Sequence, residues 1–159
     1  MKRITVLLAD DNSIVRQGFK KILEVENDLE VVGEAKNGLQ AVAVVKKLRP
    51  ALVLMDIAMP PVNGLQATCQ ILEAVPATKV LILSAYSDDV YIEEANDSGA
   101  VGYLVKQTCA NSVCSAIREV EKGNTSFSPS ISHRLHKRNR KSRWIRAGLP
   151  NLLLSLEVV

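Results

Sequence analysis

The chain has 159 residues, 47% of them apolar and 23% charged, with a formal net charge of +3 at pH 7. That is enough for one well-packed domain and too little for two of ordinary size. No run approaches the roughly 18 apolar residues of a membrane span, and the apolar run after MKR is too short for a secretory signal.

Charge is unevenly spread. Residues 1–123 hold 13 Lys+Arg against 16 Asp+Glu, whereas residues 124–159 hold seven basic residues against Glu157 alone. Three cysteines, Cys69, Cys109 and Cys114, are odd in number and lack metal-ligand spacing, which points to reduced thiols and a cytoplasmic location.

In chain order, the first apolar run is ITVLLA (4–9), followed by a helical stripe of Ile14, Gly18 and Ile22 with Val15, Phe19 and Leu23, for which Ser13 is the expected cap. LEVVGEA (29–35) comes next. It precedes a helix carrying Ala41, Val44, Val45 and Leu48, which Pro50 stops after Arg49. After ALVLM (51–55), a helix over about Gly64–Ala74 is predicted to turn Leu65, Cys69 and Leu72 inward. KVLILSA (79–85) leads to a helix capped by Asp88 or Asp89 and ending before Gly99. AVGYLV (100–105) leads to a last helix near Ala110–Lys122, with Val113, Ile117 and Val120 inward. The runs are mostly continuous rather than alternating, as strands are when both faces of a parallel sheet are covered. The expectation is an α/β fold: a five-stranded parallel sheet, doubly wound, with five helices.

Beyond Gly123 the pattern stops. The segment GNTSFSPSIS is rich in turn residues, and a cationic run follows: Arg134, Lys137, Arg138, Arg140, Lys141, Arg143 and Arg146, with Trp144 and two histidines (His133, His136) in or beside it. We divide the chain into a domain at 1–123 and a basic tail at 124–159. The basic run reads as a solvated linker; the other reading is weak, non-specific and salt-sensitive contact with nucleic acid. The final NLLLSLEVV either packs on the body, mediates self-association or stays disordered.

Polar groups fall where strands end. The first strand delivers Asp10 and Asp11, the third Asp56, the fourth Ser84 and the fifth Lys106. In an open parallel sheet those ends share one rim, which is where ligands bind. Three clustered carboxylates repel one another unless a cation neutralises them, and Mg²⁺, a hard ion served by few carboxylates, suits the set. Lys106 supplies a point charge for a phosphoryl oxygen and Ser84 a hydrogen bond. Asp56 can then act as nucleophile toward an activated phosphoryl group, giving an acyl phosphate.

LLADDNSIVRQG, LVLMDIAMPPVNG, ILSAY and GYLVK together resemble the receiver domain of bacterial two-component response regulators, over about residues 3–123. The turn from Gly123 into FSPSIS resembles the subfamily with a LuxR-type helix-turn-helix output domain, which is itself absent from residues 124–159. The tail is then an interdomain linker with an abrupt end, by truncation, by frameshift or in a natural stand-alone receiver. The resemblance implies a flavodoxin-like sheet of order 2-1-3-4-5. It makes Asp56 the phosphoacceptor, Asp11 and Asp56 direct Mg²⁺ ligands with the Ala58 carbonyl, and Asp10 a ligand largely through water. Ser84 and Lys106 become the phosphoryl-sensing pair and Tyr103 a rotamer switch. It further implies a sensor histidine kinase as donor, and self-phosphorylating and self-dephosphorylating chemistry instead of a turnover enzyme. A homodimer would form through the face of the fourth helix, fifth strand and fifth helix. Ser84 drawn toward the phosphoryl group would vacate space for Tyr103, whose burial is worth about 1–3 kcal/mol. Position 107 is Gln where many receivers have Pro, position 12 is Asn where the subfamily often has His, and Ala58 has no side chain to orient water.

Three other readings are weaker. A haloacid-dehalogenase-like phosphatase needs a second acid two residues after the nucleophile, where Ala58 stands. A nucleotide-binding module needs a Gly-rich phosphate loop after the first strand, which is missing. A degenerate receiver used only for protein contacts would not need the five site residues present here.

Overall fold

The computed structural model describes residues 2–108, 110–129 and 131–132. Cys109, the basic run, the two histidines, Trp144 and the terminal apolar stretch lie outside the described residues. Contacts divide the chain into one unit ending at Phe127 and a second beginning at Ser128.

The first unit alternates strand and helix: β1 (Ile4–Ala9), α1 (Ser13–Glu24), β2 (Leu29–Ala35), α2 (Gly38–Leu48), β3 (Leu52–Met55), α3 (Gly64–Ala74), β4 (Lys79–Ser84), α4 (Asp89–Asp97), β5 (Gly102–Val105), α5 (Ala110–Glu121) and β6 (Ser126–Phe127). All strand pairs are parallel, in the order β2-β1-β3-β4-β5-β6. The expected 2-1-3-4-5 core is therefore present. The sheet does not stop at five strands, however. Residues 126–127, assigned from sequence to the tail, add a sixth against β5.

Side chains alternate across each strand, so each apolar run feeds two cores. Val6, Leu8, Leu52, Leu54, Leu81, Leu83 and Leu104 form one cluster with Leu23 of α1 and Val113, Ile117 and Val120 of α5. The residues between them, such as Leu7, Val53, Met55 and Ile82, are fully buried as well. Met59, in the loop after β3, is equally buried, as packing residues are.

Three helix faces differ from expectation; in α2, Leu48 is 44% exposed. In α1, Leu23 is buried and Phe19 and Ile22 pack on the core, but Ile14 is 77% exposed. The cap is Asn12 instead of Ser13: its side chain accepts from the amides of Ile14 (2.9 Å) and Val15 (3.3 Å), so the helix starts one residue earlier. In α3 the buried residues are Gly64, Leu65, Ala67, Thr68 and Ile71, and Cys69 is exposed. Thr68 can sit inside because its hydroxyl donates to the Gly64 carbonyl (2.6 Å).

At the far end of α5, Arg118 forks onto Asp28 (Nε–Oδ2 2.7 Å, Nη2–Oδ1 2.9 Å) and reaches Glu26 (2.8 Å). The hydrogen bond from Arg118 holds the Asp28 carboxyl below its ordinary range. Among the described residues, no helix is long and apolar enough to cross a membrane.

The sixth strand rests on little. Ser126 donates its amide to the Val101 carbonyl (3.1 Å), and its own carbonyl lies so close to Gly102 that a Cβ there would sit 1.9 Å away. Ser126→Pro removes the donor without touching β5. Urea denaturation is expected to record a loss of about 0.5–1.5 kcal/mol, the net worth of one backbone hydrogen bond, with the acidic cluster unaffected.

Candidate functional site

The chain leaves β1 toward β2 on one side and reaches β3 on the other, so the carboxyl ends of β1 and β3 flank the point where the strand order reverses. Register does the rest. Ala9 pairs with Met55, and the ladder continues one bond further, with the Asp56 amide donating to the Ala9 carbonyl at 2.9 Å. Asp10 and Asp56 are thereby adjacent residues on neighbouring strands, both nearly buried at 7% and 6% exposure. Asp56, at the rim where the strands end, is almost hidden.

Lys106, just past β5, compensates. Its ammonium lies 2.7 Å from Asp10 Oδ2 and 3.4 Å from Asp56 Oδ2. Its amide donates to the Ser84 carbonyl (2.8 Å), which ties its position to the end of β4. Asp11 is exposed beside the pair, and one carboxylate oxygen from each of Asp10, Asp11 and Asp56 lies within 4.8 Å of the others. Two buried acids and one exposed acid, all oxygen donors, suit a hard divalent cation approached from solvent.

The electrostatics agree. Burial, followed by the charge of Asp10, pushes the Asp56 carboxyl up to about 6, against an opposing effect of Lys106. For Lys106 burial works against the charge, but the hydrogen bond to Asp10 and the charge of Asp56 prevail and raise it. Three carboxylates against one ammonium leave the cluster short of positive charge.

Behind this cluster the structure places Ser84 and Tyr103 in a second hydrogen-bonded series. Ser84 is fully buried, and its hydroxyl oxygen accepts from the Tyr86 amide (3.1 Å). The Tyr103 hydroxyl donates to the Tyr86 carbonyl (2.5 Å), with its ring wholly inside the protein. The ring is thus already in the inward position that the sequence reading reserved for a phosphorylated state. Tyr86 stacks on Tyr91 of α4, with ring centroids 5.2 Å apart. Ala58 is exposed in the loop after Asp56.

Sequence reasoning missed two positions that shape the site. Gly64, read only as a helix start, opens α3 directly beneath Asp56: a Cβ there would lie 1.8 Å from the Asp56 carbonyl oxygen, which leaves room for nothing larger. Asn12 is the other. Its amide donates to Asp10 Oδ1 (2.9 Å) while its side chain caps α1, so one residue joins the acidic loop to the helix.

The family described as response regulator receiver domain matches residues 6–118. The transcriptional regulatory protein DegU of Brevibacillus brevis is 37% identical over 139 residues, covering 87% of this chain and 59% of that protein. The response regulator protein VraR of Staphylococcus aureus is 36% identical over 155 residues, covering 98% of this chain and 72% of its own length. Among solved structures, a LuxR-family two-component response regulator from Aurantimonas superposes with a TM-score of 0.82 at 27% identity, covering 87% of this chain and 99% of that one. The response regulator domain of Thermotoga maritima CheB gives 0.72 at 30% identity, covering 76% and 98%.

A pH prediction follows from Asp56. Its folded value, about 6, exceeds the ordinary 3.8. The folded state therefore holds this proton more tightly than the unfolded chain, an advantage fully present below 3.8 and lost as pH rises through 6. In chelator near neutral pH, Asp56→Asn should be more stable than the parent by about 1–3 kcal/mol. Denaturation midpoints taken at falling pH should show that gain shrinking towards nothing near pH 3.8.

Proposed function

The chain belongs to the response regulator receiver domain family, and we propose that it is a phosphoryl-accepting signal receiver in which Asp56 takes the group from a sensor histidine kinase. The observation that carries the reading is the meeting of Asp56 with Asp10, Asp11 and Lys106 at the reversal of strand order. An Asp56 carboxylate oxygen attacks the phosphorus of a phosphohistidine; the P–N bond breaks as the P–O bond forms, and the imidazole leaves. Asp10, Asp11 and Asp56 would hold Mg²⁺, with the Ala58 carbonyl as a further oxygen donor. When bound, the ion supplies positive charge to the phosphoryl oxygens in transfer. Lys106 moves from bridging two carboxylates to pairing one phosphoryl oxygen.

The change is then passed on through Ser84. A phosphoryl oxygen that takes the Ser84 hydroxyl disturbs the acceptor of the Tyr86 amide, and Tyr86 is bonded in turn to Tyr103. Because the Tyr103 ring is already buried, the signal in this proposal is a shift of the 85–88 loop and of the Tyr86–Tyr91 stack on α4. Burial raises the Tyr103 phenol, which keeps it a donor. Tyr86 and Val90, 45% and 61% exposed, offer apolar contacts to a partner or a second copy. With β6 on the edge of β5, self-association at this face would use side chains and not strand addition. Control of transcription is the output proposed by likeness to the regulators named above, of which this chain spans 59% in one case and 72% in the other.

Incubation with Mg²⁺ and acetyl phosphate tests the reading by mass. One phosphoryl group, about 80 Da by the single-acceptor stoichiometry, should appear on the parent and be lost in Asp56→Asn. Ser84→Ala should still be labelled while losing the labelling-dependent change in Tyr86 environment. A parent chain that takes no label would favour a receiver that works through protein contacts alone.

A further inference from the structure

Arg16 of α1 is a cation whose place beside the acids is unexplained by the acceptor chemistry. Its Nη1 donates to the Asp10 backbone carbonyl at 2.6 Å, and its Nε donates to Glu34 at the end of β2 at 3.1 Å. Its side chain is only 11% exposed, and it lines a small apolar-walled cavity together with Asp10 and Asp56.

The Asp10 carbonyl belongs to the peptide link that carries Asp11. Asp10 lies one residue past β1, with its amide held by the Ala35 carbonyl (3.0 Å) and its carboxylate by the Asn12 amide (2.9 Å). The guanidinium takes the remaining polar group of that residue. Asp11 is exposed, so this peptide link is what places it. Glu34 is partly exposed and also lies 4.0 Å from Lys20, so its ion pair with Arg16 would by itself contribute little. The pair acquires a role because it aims the other arm of the guanidinium at the acidic loop.

We propose that Arg16, oriented by Glu34, is a positioning residue that sets the geometry of the Asp10–Asp11 link and with it the affinity of the acidic cluster for a divalent cation. The inference rests on the acceptor reading of the same site. Supporting groups around metal ligands typically change affinity by about 10- to 100-fold when lost.

Charge and position predict opposite signs here. Removing a cation near the cluster strengthens cation binding if only charge matters, and weakens it if geometry matters. The test titrates the 159-residue chain with Mn²⁺, following free ion by electron paramagnetic resonance, alongside thermal denaturation in chelator. Arg16→Met should bind Mn²⁺ about 10-fold more weakly and still reach full labelling by acetyl phosphate at saturating metal. Arg16→Lys keeps the charge but lacks the fork, so it should recover only part of the affinity. Charge alone predicts no change in Arg16→Lys, so weaker binding there decides the matter if Arg16→Met does not fold. Unchanged or tighter binding in the variants overturns the proposal while leaving the acceptor reading intact. A parent that neither binds Mn²⁺ nor takes label overturns the acceptor reading itself.

Discussion

The hydrogen bond from the Asp56 amide to the Ala9 carbonyl carries the ladder of β1 and β3 one step beyond its last paired residues. Everything at the site depends on it. A slip of one residue in a strand turns every side chain to the opposite face, which would send Asp56 away from Asp10 and Lys106. Two features secure the register. All four residues of β3 are buried, so a slip of one residue would carry the Asp56 carboxylate into the fully buried place of Met55. Gly64 closes in from below, where α3 begins against the Asp56 carbonyl with no space for a methyl group. The helix after the acceptor is thus also the floor of the acceptor.

That register forces an electrostatic compromise. Asp10 and Asp56 are both nearly excluded from water, and one ammonium serves them unequally, 2.7 Å from the first and 3.4 Å from the second. Burial alone would favour apolar residues at these positions, since unpaired buried charge is strongly disfavoured. The retained acids, and the raised proton affinity of Asp56, therefore mark a site kept away from its own stability optimum. Asp11 is exposed, so the third acid adds charge from the solvent side without adding the same burial cost.

How much of this was legible depended on whether a residue acts through pattern or through contact. ITVLLA was readable to the residue because a continuous apolar run suits a covered parallel sheet; LEVVGEA, broken by two glutamates, kept its bounds as the edge strand. The four strand ends that carry polar groups were readable for the same reason, since alternation of strand and helix places them on one rim. Helix faces were less so. Ile14 matched an apolar stripe yet is exposed, and Thr68 broke one yet is buried, because a hydroxyl bonded to the turn above it travels inward as readily as a methyl. Gly64 and Arg16 left almost no trace: a glycine after Asn reads as a helix start, and an arginine between apolar positions reads as a solvated face. The inward ring of Tyr103 was equally hidden, since a rotamer has no sequence signature.

The sixth strand joins these threads. Ser126–Phe127 sits among turn residues with no apolar period, and only the missing side chain of Gly102 lets its backbone approach β5. Phe127 is the register partner of Tyr103, and the Tyr103 hydroxyl ends on the loop that follows Ser84. The strand that carries Tyr103 is therefore bonded on one edge to β4, which ends at the acidic rim, and on the other to β6, the last strand among the described residues. A displacement of Ser84 has two hydrogen-bonded steps to cross before it reaches Tyr103, and one register pair further is the end of the sheet. Those bonds fix β5 on both edges and tie Tyr103 to the 85–88 loop, whose shift is the proposed signal.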